Sequence, residues 1–224
     1  MSAAARARVD RLRQPLENGI AALGIDVPAQ APALLLQFID LLITWNSAYN
    51  LSGITDPEEM LHRHVLDSLS ILPAVRGKRV IDIGTGAGLP GIPLAVCLPG
   101  TGFHLLDSNG KKMRFLFQVK SQLRLGNVSL VHGRAEDCAD DGPFDVVLSR
   151  AVASLEDLLA IGGHLLAPEG EMLAMKSAPS AEELAGVKPP YTVRSITGLS
   201  VPGATTPRHL VSIVRIPGQD GTTA

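Results

Sequence analysis

Between Leu34 and Trp45 the chain sets Leu34, Leu35, Phe38, Leu41, Leu42 and Trp45 three and four residues apart, which predicts a helix with one apolar face. A second helix is expected from "TDPEEMLHRHVLDSLSIL". Asp56 can cap it, Pro57 suits its first turn, and Glu58 and Glu59 favour the positive end of its dipole. From Lys78 onward the pattern changes to short apolar runs. "RVIDIG", "GFHLLDS", "VSLVHG", "FDVVLSR" and "EMLAMKS" read as strands of a parallel sheet, with helices over 110–126 and 154–166. Near the end, "YTVRSITGL" and "RHLVSIVRI" alternate in polarity and have only a Pro/Gly/Thr-rich loop between them. They predict an antiparallel pair at one edge of the sheet. The expected organisation is a helical extension over 1–75, an α/β core over 76–217 and a disordered tail over 218–224.

Composition narrows the classes. With 224 residues, 46% of them hydrophobic, the chain can bury a sizeable core. A net charge of −2 excludes a protein that coats nucleic acid by bulk charge, while leaving room for a local basic patch. No run of eighteen apolar residues occurs, and the N-terminus mixes four arginines with Asp10 and Pro15 instead of an apolar signal region. A cytoplasmic location without membrane contact is therefore expected, and a monomer is taken as the starting assumption. Cys97 and Cys138 form no CxxC or Cys/His cluster, so they read as small hydrophobes and no metal site is expected.

The chemistry centres on "VIDIGTGAGLPGIPLA", residues 80–95, a strand that breaks into glycines and re-enters a helix. A nucleotide P-loop needs a Lys-Ser or Lys-Thr pair after its last glycine, but Gly91 is followed by Ile92 and Pro93. A dinucleotide fold fits Gly86, Gly88 and Gly91, with Asp107 about twenty residues on for a ribose diol. Against it, Pro90 and Pro93 remove backbone donors where a pyrophosphate would seek them. S-adenosylmethionine presents a ribose and no phosphate. The ordered series "DIGTGAG", "LLDS" and "GRAED", each just past a predicted strand end, resembles the class I methyltransferase set. Singly, the glycines could be plain turn residues, Asp107 a helix cap and Glu136 a solvated charge.

The acceptor narrows by elimination. Cytosine C5 methylation needs a nucleophilic cysteine at the fourth or fifth strand end, where neither cysteine lies. Exocyclic amines call for an Asn/Asp-Pro-Pro-aromatic motif after strand four, where this chain has "SRAVAS". Acceptors with a ready lone pair, such as guanine N7, remain. They need positioning more than a base.

At this point "YNLSGITDPEEMLHRHVLDSL", "VIDIGTGAGLPGIPLA", "LLDSNGKKMRFL", "GRAED", "SRAVAS" and "MLAMKS" closely resemble the glucose-inhibited division protein B family, bacterial small-subunit ribosomal RNA guanine-N7 methyltransferases. The resemblance spans about residues 45–215. It implies a Rossmann-like class I methyltransferase fold, a mostly parallel seven-stranded sheet with an antiparallel C-terminal hairpin, plus the N-terminal helical extension. It also implies S-adenosylmethionine as cofactor and 16S rRNA of the small ribosomal subunit as partner. Another acceptor on the same fold, or a dinucleotide-binding redox protein, are the alternatives. Carried over by motif, cofactor contacts fall on Gly84 and Leu89, on Ala135 and Glu136, and on Arg150; Gly86 and Gly88 belong to the same loop. Asp107 joins them on chemical grounds, as the ribose carboxylate.

Arg150, Lys176 and His64 are the candidate catalytic residues, since two strand ends and the "RH" element could converge on one pocket. His64 could equally be a hydrogen-bonded helix residue. RNA contacts are expected from Arg63, Lys111, Lys112 and Arg114. Lys111, Lys112, Arg114, Lys120 and Arg124 share one predicted helix without an acid. They could face RNA, or merely solvate the outer side of a helix whose Phe115, Leu116, Val119 and Leu123 face the sheet. With eight aromatic residues in the chain, few rings could stack on a target base.

Overall fold

A computed structural model describes residues 3–138, 142–150 and 154–218, without the side chains of residues 3–6 and 8. Seven strands form one sheet in the order β3-β2-β1-β4-β5-β7-β6. The first five, β1 (Arg79–Ile83), β2 (Gly102–Asp107), β3 (Val128–His132), β4 (Phe144–Arg150) and β5 (Leu166–Lys176), are mutually parallel. β6 (Tyr191–Gly198) and β7 (His209–Arg215) form the expected antiparallel pair, with β7 inserted against β5. The apolar runs behave as their composition predicts. Val80, Ile81, Val146, Val147 and Leu148 are buried because helices cover both faces of the central strands.

The strand order reverses between β1 and β4, and the crevice above the strands' C-terminal ends is where open α/β sheets bind ligands. The crossover helices are α4 (Gly91–Cys97), α5 (Gly110–Leu123) and α6 (Leu155–Gly162). The last two are shorter than the expected 110–126 and 154–166. α5 stops where Arg124 enters the left-handed region, and after α6 a 3-10 turn over Gly163–Leu165 replaces the final helical turn. β5 starts five residues earlier than expected, because Leu166 already pairs with Phe144 ahead of an irregularity in the β4 ladder. A short helix α7 (Ala181–Ala185), not anticipated from periodicity, follows β5.

Three helical segments precede the sheet: α1 (Ala3–Leu23), α2 (Ala31–Tyr49) and α3, which is continuous over 57–69. α1 contains Pro15 yet buries Val9, Leu12, Leu16 and Ile20 along one side. It comes so close to α3 that a Cβ on Gly19 would sit 2.4 Å from the Leu66 side chain. α2 is long and apolar enough to pass for a membrane span, but its Leu35, Leu36, Phe38, Ile39 and Leu42 are buried in the same hydrophobic cluster as the sheet. Phe38 and Trp45 both lean on Phe115 of α5, at centroid distances of 6.3 and 5.8 Å. α3 begins as expected, with Asp56 accepting from the Glu59 N–H at 2.8 Å and Pro57 in the first turn. Its middle, Leu61–Leu66, is wound as a π-helix, a form often found at functional sites. That stretch carries Arg63 and His64. Residues 219–224, most of the predicted tail, lie outside the described residues, as do Ala151, Val152 and Ala153 of "SRAVAS".

Candidate active site

The glycine loop is held from below by Asp82 on β1. Its Oδ2 accepts from the Thr85 hydroxyl at 2.6 Å and from the Gly91 N–H at 2.9 Å, while Oδ1 is buried without a partner. Burial pushes the Asp82 carboxyl up to about 6, against the hydrogen bonds from Thr85 and Gly91. This arrangement consumes the donors a phosphate would need. Pro90 and Pro93 have no N–H, Gly91 gives its own to Asp82, and Ile92 gives its own to the Gly88 carbonyl at 2.7 Å. The entrance to α4 is thus no pyrophosphate site, which strengthens the objection to the dinucleotide reading.

The glycines divide into two kinds. Gly84 has a φ of +66°, and a Cβ there would meet nothing within 4 Å; it lines a cavity. Gly88 and Gly91 serve packing, since a Cβ would lie 2.5 Å from Ile92 and 2.3 Å from Leu105, respectively. Leu89 belongs with them. It is 4% exposed in the hydrophobic core and is not part of the cavity wall.

That first cavity, about 360 Å3, opens over the ends of β1, β2 and β4 and is walled by Gly84, Leu106, Asp107, Lys112, Glu136 and Arg150, among others. Asp107 is its buried carboxylate. Oδ2 accepts from the Gly86 N–H at 2.9 Å and lies 3.4 Å from Lys112 Nζ, and Oδ1 accepts from the Asn109 N–H at 2.8 Å. Asp107 does not cap α5; Asn109 does, accepting from the Lys111 and Lys112 N–H groups. A carboxylate offers about four acceptor positions, so one remains, and displacing the long Lys112 contact frees a second. Two positions match the two hydroxyls of a ribose. Ile83, Leu106 and Ile161 supply apolar wall for a base, and Ala135 and Glu136 close the β3 side. The residues present therefore fit S-adenosylmethionine.

A second cavity of about 470 Å3 lies across Arg150, between α3 and the ends of β4 and β5. Arg63, His64, Asp67, Lys176, Glu183 and Arg208 contribute to it. Among the described residues Arg150 is the one common to both walls. Its Nη1 donates to the Arg63 carbonyl at 3.0 Å and meets Asp67 Oδ2 at 3.2 Å, while Asp67 Oδ1 takes Arg208 Nε at 3.0 Å. Asp67 therefore fixes two guanidinium groups from distant parts of the chain. Lys176 Nζ stands 2.6 Å from Glu183 Oε1 on α7.

His64 is buried and has a partner on each ring nitrogen. The Arg63 carbonyl, 3.2 Å from Nδ1, can only accept, so Nδ1 carries the hydrogen and Nε2 accepts from the Ser52 hydroxyl at 2.7 Å. Burial, then the charge of Arg150, lowers its pKa to about 4, so the ring is neutral near pH 7. It pins the 50–54 loop through Ser52, whose Oγ also accepts the Ile54 N–H at 3.1 Å.

The sequence candidates thus separate in space. Gly84, Asp107, Ala135, Glu136 and Arg150 meet at the first cavity, and Arg63, His64, Arg150 and Lys176 at the second. Lys112, expected to face RNA, turns inward to Asp107, because the first turn of α5 sits directly beyond the β2 end. Lys111 and Arg114 stay exposed. Asp67, Arg208, Glu183, Arg134 and Ile161 were not anticipated. Of these Asp67 alone left a sequence trace, a carboxylate placed between Leu66 and Leu69 on the apolar side of a helix.

The profile described as "GidB: rRNA small subunit methyltransferase G" matches residues 32–211. The chain belongs to the GidB family. Relatives named "Ribosomal RNA small subunit methyltransferase G" include one from Marinobacter nauticus, 48% identical over 89% of this chain and 94% of its own. Another, from Pseudomonas paraeruginosa, is 45% identical over 96% of this chain and 99% of its own. Among solved structures, that of M. jannaschii TYW2 in complex with AdoMet aligns with a TM-score of 0.55 at 14% identity, over 68% of this chain and 76% of that one. A precorrin-6y C5,15-methyltransferase from Geobacter metallireducens gives 0.53 at 18%, over 67% and 86%. At such identities these two speak for the fold alone, and the fold this chain shares with them is that of the class I methyltransferases.

Proposed function

We propose that this protein transfers a methyl group from S-adenosylmethionine to N7 of a guanine in 16S rRNA of the small ribosomal subunit. The observation that carries the reading is the single partition between two cavities. Arg150 belongs to a wall that fits the cofactor and to a wall that can receive a base. The cofactor supplies a methyl group on a sulfonium, ready for in-line displacement. Guanine N7 already presents a lone pair, so no base is required, and the task left to the chain is to hold donor and acceptor in line.

Named residues divide that task. Asp107 takes the ribose hydroxyls, Gly84 lets the ligand approach the backbone, and Ile161 and Leu106 face the adenine. Asp67 holds the Arg150 guanidinium in place at the partition and offsets part of its charge, since the same carboxylate is shared with Arg208. On the acceptor side Arg150, Lys176 and Arg63 offer donors to the base and its phosphates. Asp67 and Glu183, paired with Arg150 and Arg208 and with Lys176, hold those cations in place around the acceptor.

The test is tritiated methyl transfer to unmodified 30S subunits and to naked 16S RNA, followed by nucleoside analysis. Label in 7-methylguanosine is expected. Measured cofactor binding with no label in either substrate would overturn the reading.

A further inference from the structure

The outer face of α5 carries a ring that the core does not use. Phe115 and Leu116 are fully buried, whereas Phe117 is 67% exposed, more than Tyr49 or Ile196, the other large exposed hydrophobics among the described residues. A lone exposed ring is ordinary on a protein surface. This one has specific neighbours. Arg114 stands three residues before it and Lys120 three after, so both share its side of the helix. Phe117, Lys120, Ser121, Arg124, Leu125 and Gly126 together outline an open hollow of about 410 Å3 at the helix end. Arg124 adopts a left-handed backbone, φ 53°, and Leu125 folds back into the core beneath it.

Charge selects the occupant. Between Gly110 and Gly126 there are five cations and no acid, in a chain whose net charge is −2; with Lys112 turned inward to Asp107, Lys111, Arg114, Lys120 and Arg124 are left for the outer face. A polyanion is attracted to such a strip, and the flat phenyl face adds what phosphates alone do not need, a stacking surface for a base. The exposed Ser121 and Gln122 and the part-buried Gln118 continue this side, so it lacks the apolar breadth a lipid surface would require. The helix starts at the rim of the cofactor cavity, through Lys112, and its 14 residues run on the order of 20 Å away from it.

We infer that the α5 face from Lys111 to Arg124 is a docking strip for a single-stranded segment of the RNA, with Phe117 stacking on an unpaired base outside the active site. Duplex RNA hides its base faces, so an unstacked strand is the form this ring can use. The inference rests on the RNA methyltransferase reading for its substrate, but the docking step is measurable without methyl transfer.

The closing experiment uses Phe117→Trp and Phe117→Ala in the full chain. Trp45, the single native tryptophan, stacks on Tyr49 at 5.2 Å, and the wild type serves as its emission control. Single-stranded RNA of mixed sequence is expected to quench the new indole of Phe117→Trp, and a blunt RNA duplex to leave it nearly unchanged. Phe117→Ala is expected to raise KM for RNA by about 5- to 150-fold, the usual worth of one base–aromatic stack, with kcat and cofactor affinity unchanged. Arg124→Gln is expected to reduce the salt dependence of RNA binding by about one ion, and Phe117→Ala to leave it unaltered. Unchanged indole emission together with an unchanged KM would overturn the inference. So would a response to assembled subunits but to no RNA, which would make the occupant a protein. Quenching without any methyl transfer by the wild type would uphold the strip and sink the proposed reaction instead.

Discussion

Arg150 Nη1 lies 3.2 Å from Asp67 Oδ2, a contact that ties the end of β4 to helix α3 across 83 residues of chain. Asp67 is 5% exposed at its side chain and also holds Arg208. Removing it leaves two half-buried guanidinium groups facing each other. Asp67→Ala is expected to lower the unfolding free energy by about 3 kcal/mol, the usual result of breaking a buried pair from one side. Urea denaturation measures this, and a loss under about 1 kcal/mol would show that the pair is not what fastens α3 to the sheet.

Replacing Arg150 itself tests its place between the cavities. Arg150→Ala is expected to cut methyl transfer to the RNA by about 100-fold through misplacement of donor and acceptor. Arg150→Lys should rescue little, since a lysine carries the charge without the planar fork that reaches Asp67 and the Arg63 carbonyl together. Full turnover of either variant on the true substrate would remove Arg150 from the mechanism.

For Asp107, calorimetry is the direct measurement. Its carboxylate is buried beside the loop and held by two backbone N–H groups. Asp107→Ala should weaken S-adenosylmethionine binding by about 1.5–3 kcal/mol, or about 10- to 150-fold. Unchanged affinity would place the ribose elsewhere.

Acid stability reports on His64. Its folded pKa of about 4 lies below the ordinary 6.5, so as pH falls through this window the unfolded chain takes up a proton that the folded chain refuses. Stability is therefore lost from about pH 6.5 down to about pH 4. Asp82 acts in the opposite sense, because the folded state keeps a proton up to about pH 6 that the unfolded chain has released. A comparison of wild type with His64→Gln isolates the histidine. The difference in unfolding free energy should move by about 3 kcal/mol in favour of the variant between pH 7 and pH 4. A pH-independent difference would mean that the ring protonates freely in the fold.

Much of the architecture is legible along the chain because it rests on local rules. Apolar runs of five to seven residues marked β1 to β4, Asp56 and Pro57 marked the start of α3, and a glycine-for-strand break marked the loop. The fold of the GidB family and the glycine loop were available from those signals and from motif resemblance. Helix ends were not, since Arg124 carries no glycine-like signature yet closes α5 through a left-handed turn, followed by the buried Leu125. α7 was missed because five residues hold too little periodicity to register.

What the sequence by itself determined was therefore the set of elements and the order in which chemistry-bearing residues follow strand ends. Only the tertiary structure decided which of them meet. Asp67 and Arg208 are 141 residues apart, Lys112 turned from an expected RNA contact to a partner of Asp107, and Phe115 and Phe117 took opposite sides of one helix. Hydrophobic periodicity is a property of neighbours in sequence, whereas a shared carboxylate or a wall common to two cavities arises from closing the sheet and docking α3 upon it. That closure brings Arg150 between the two cavities, a position that its own stretch of sequence does not encode.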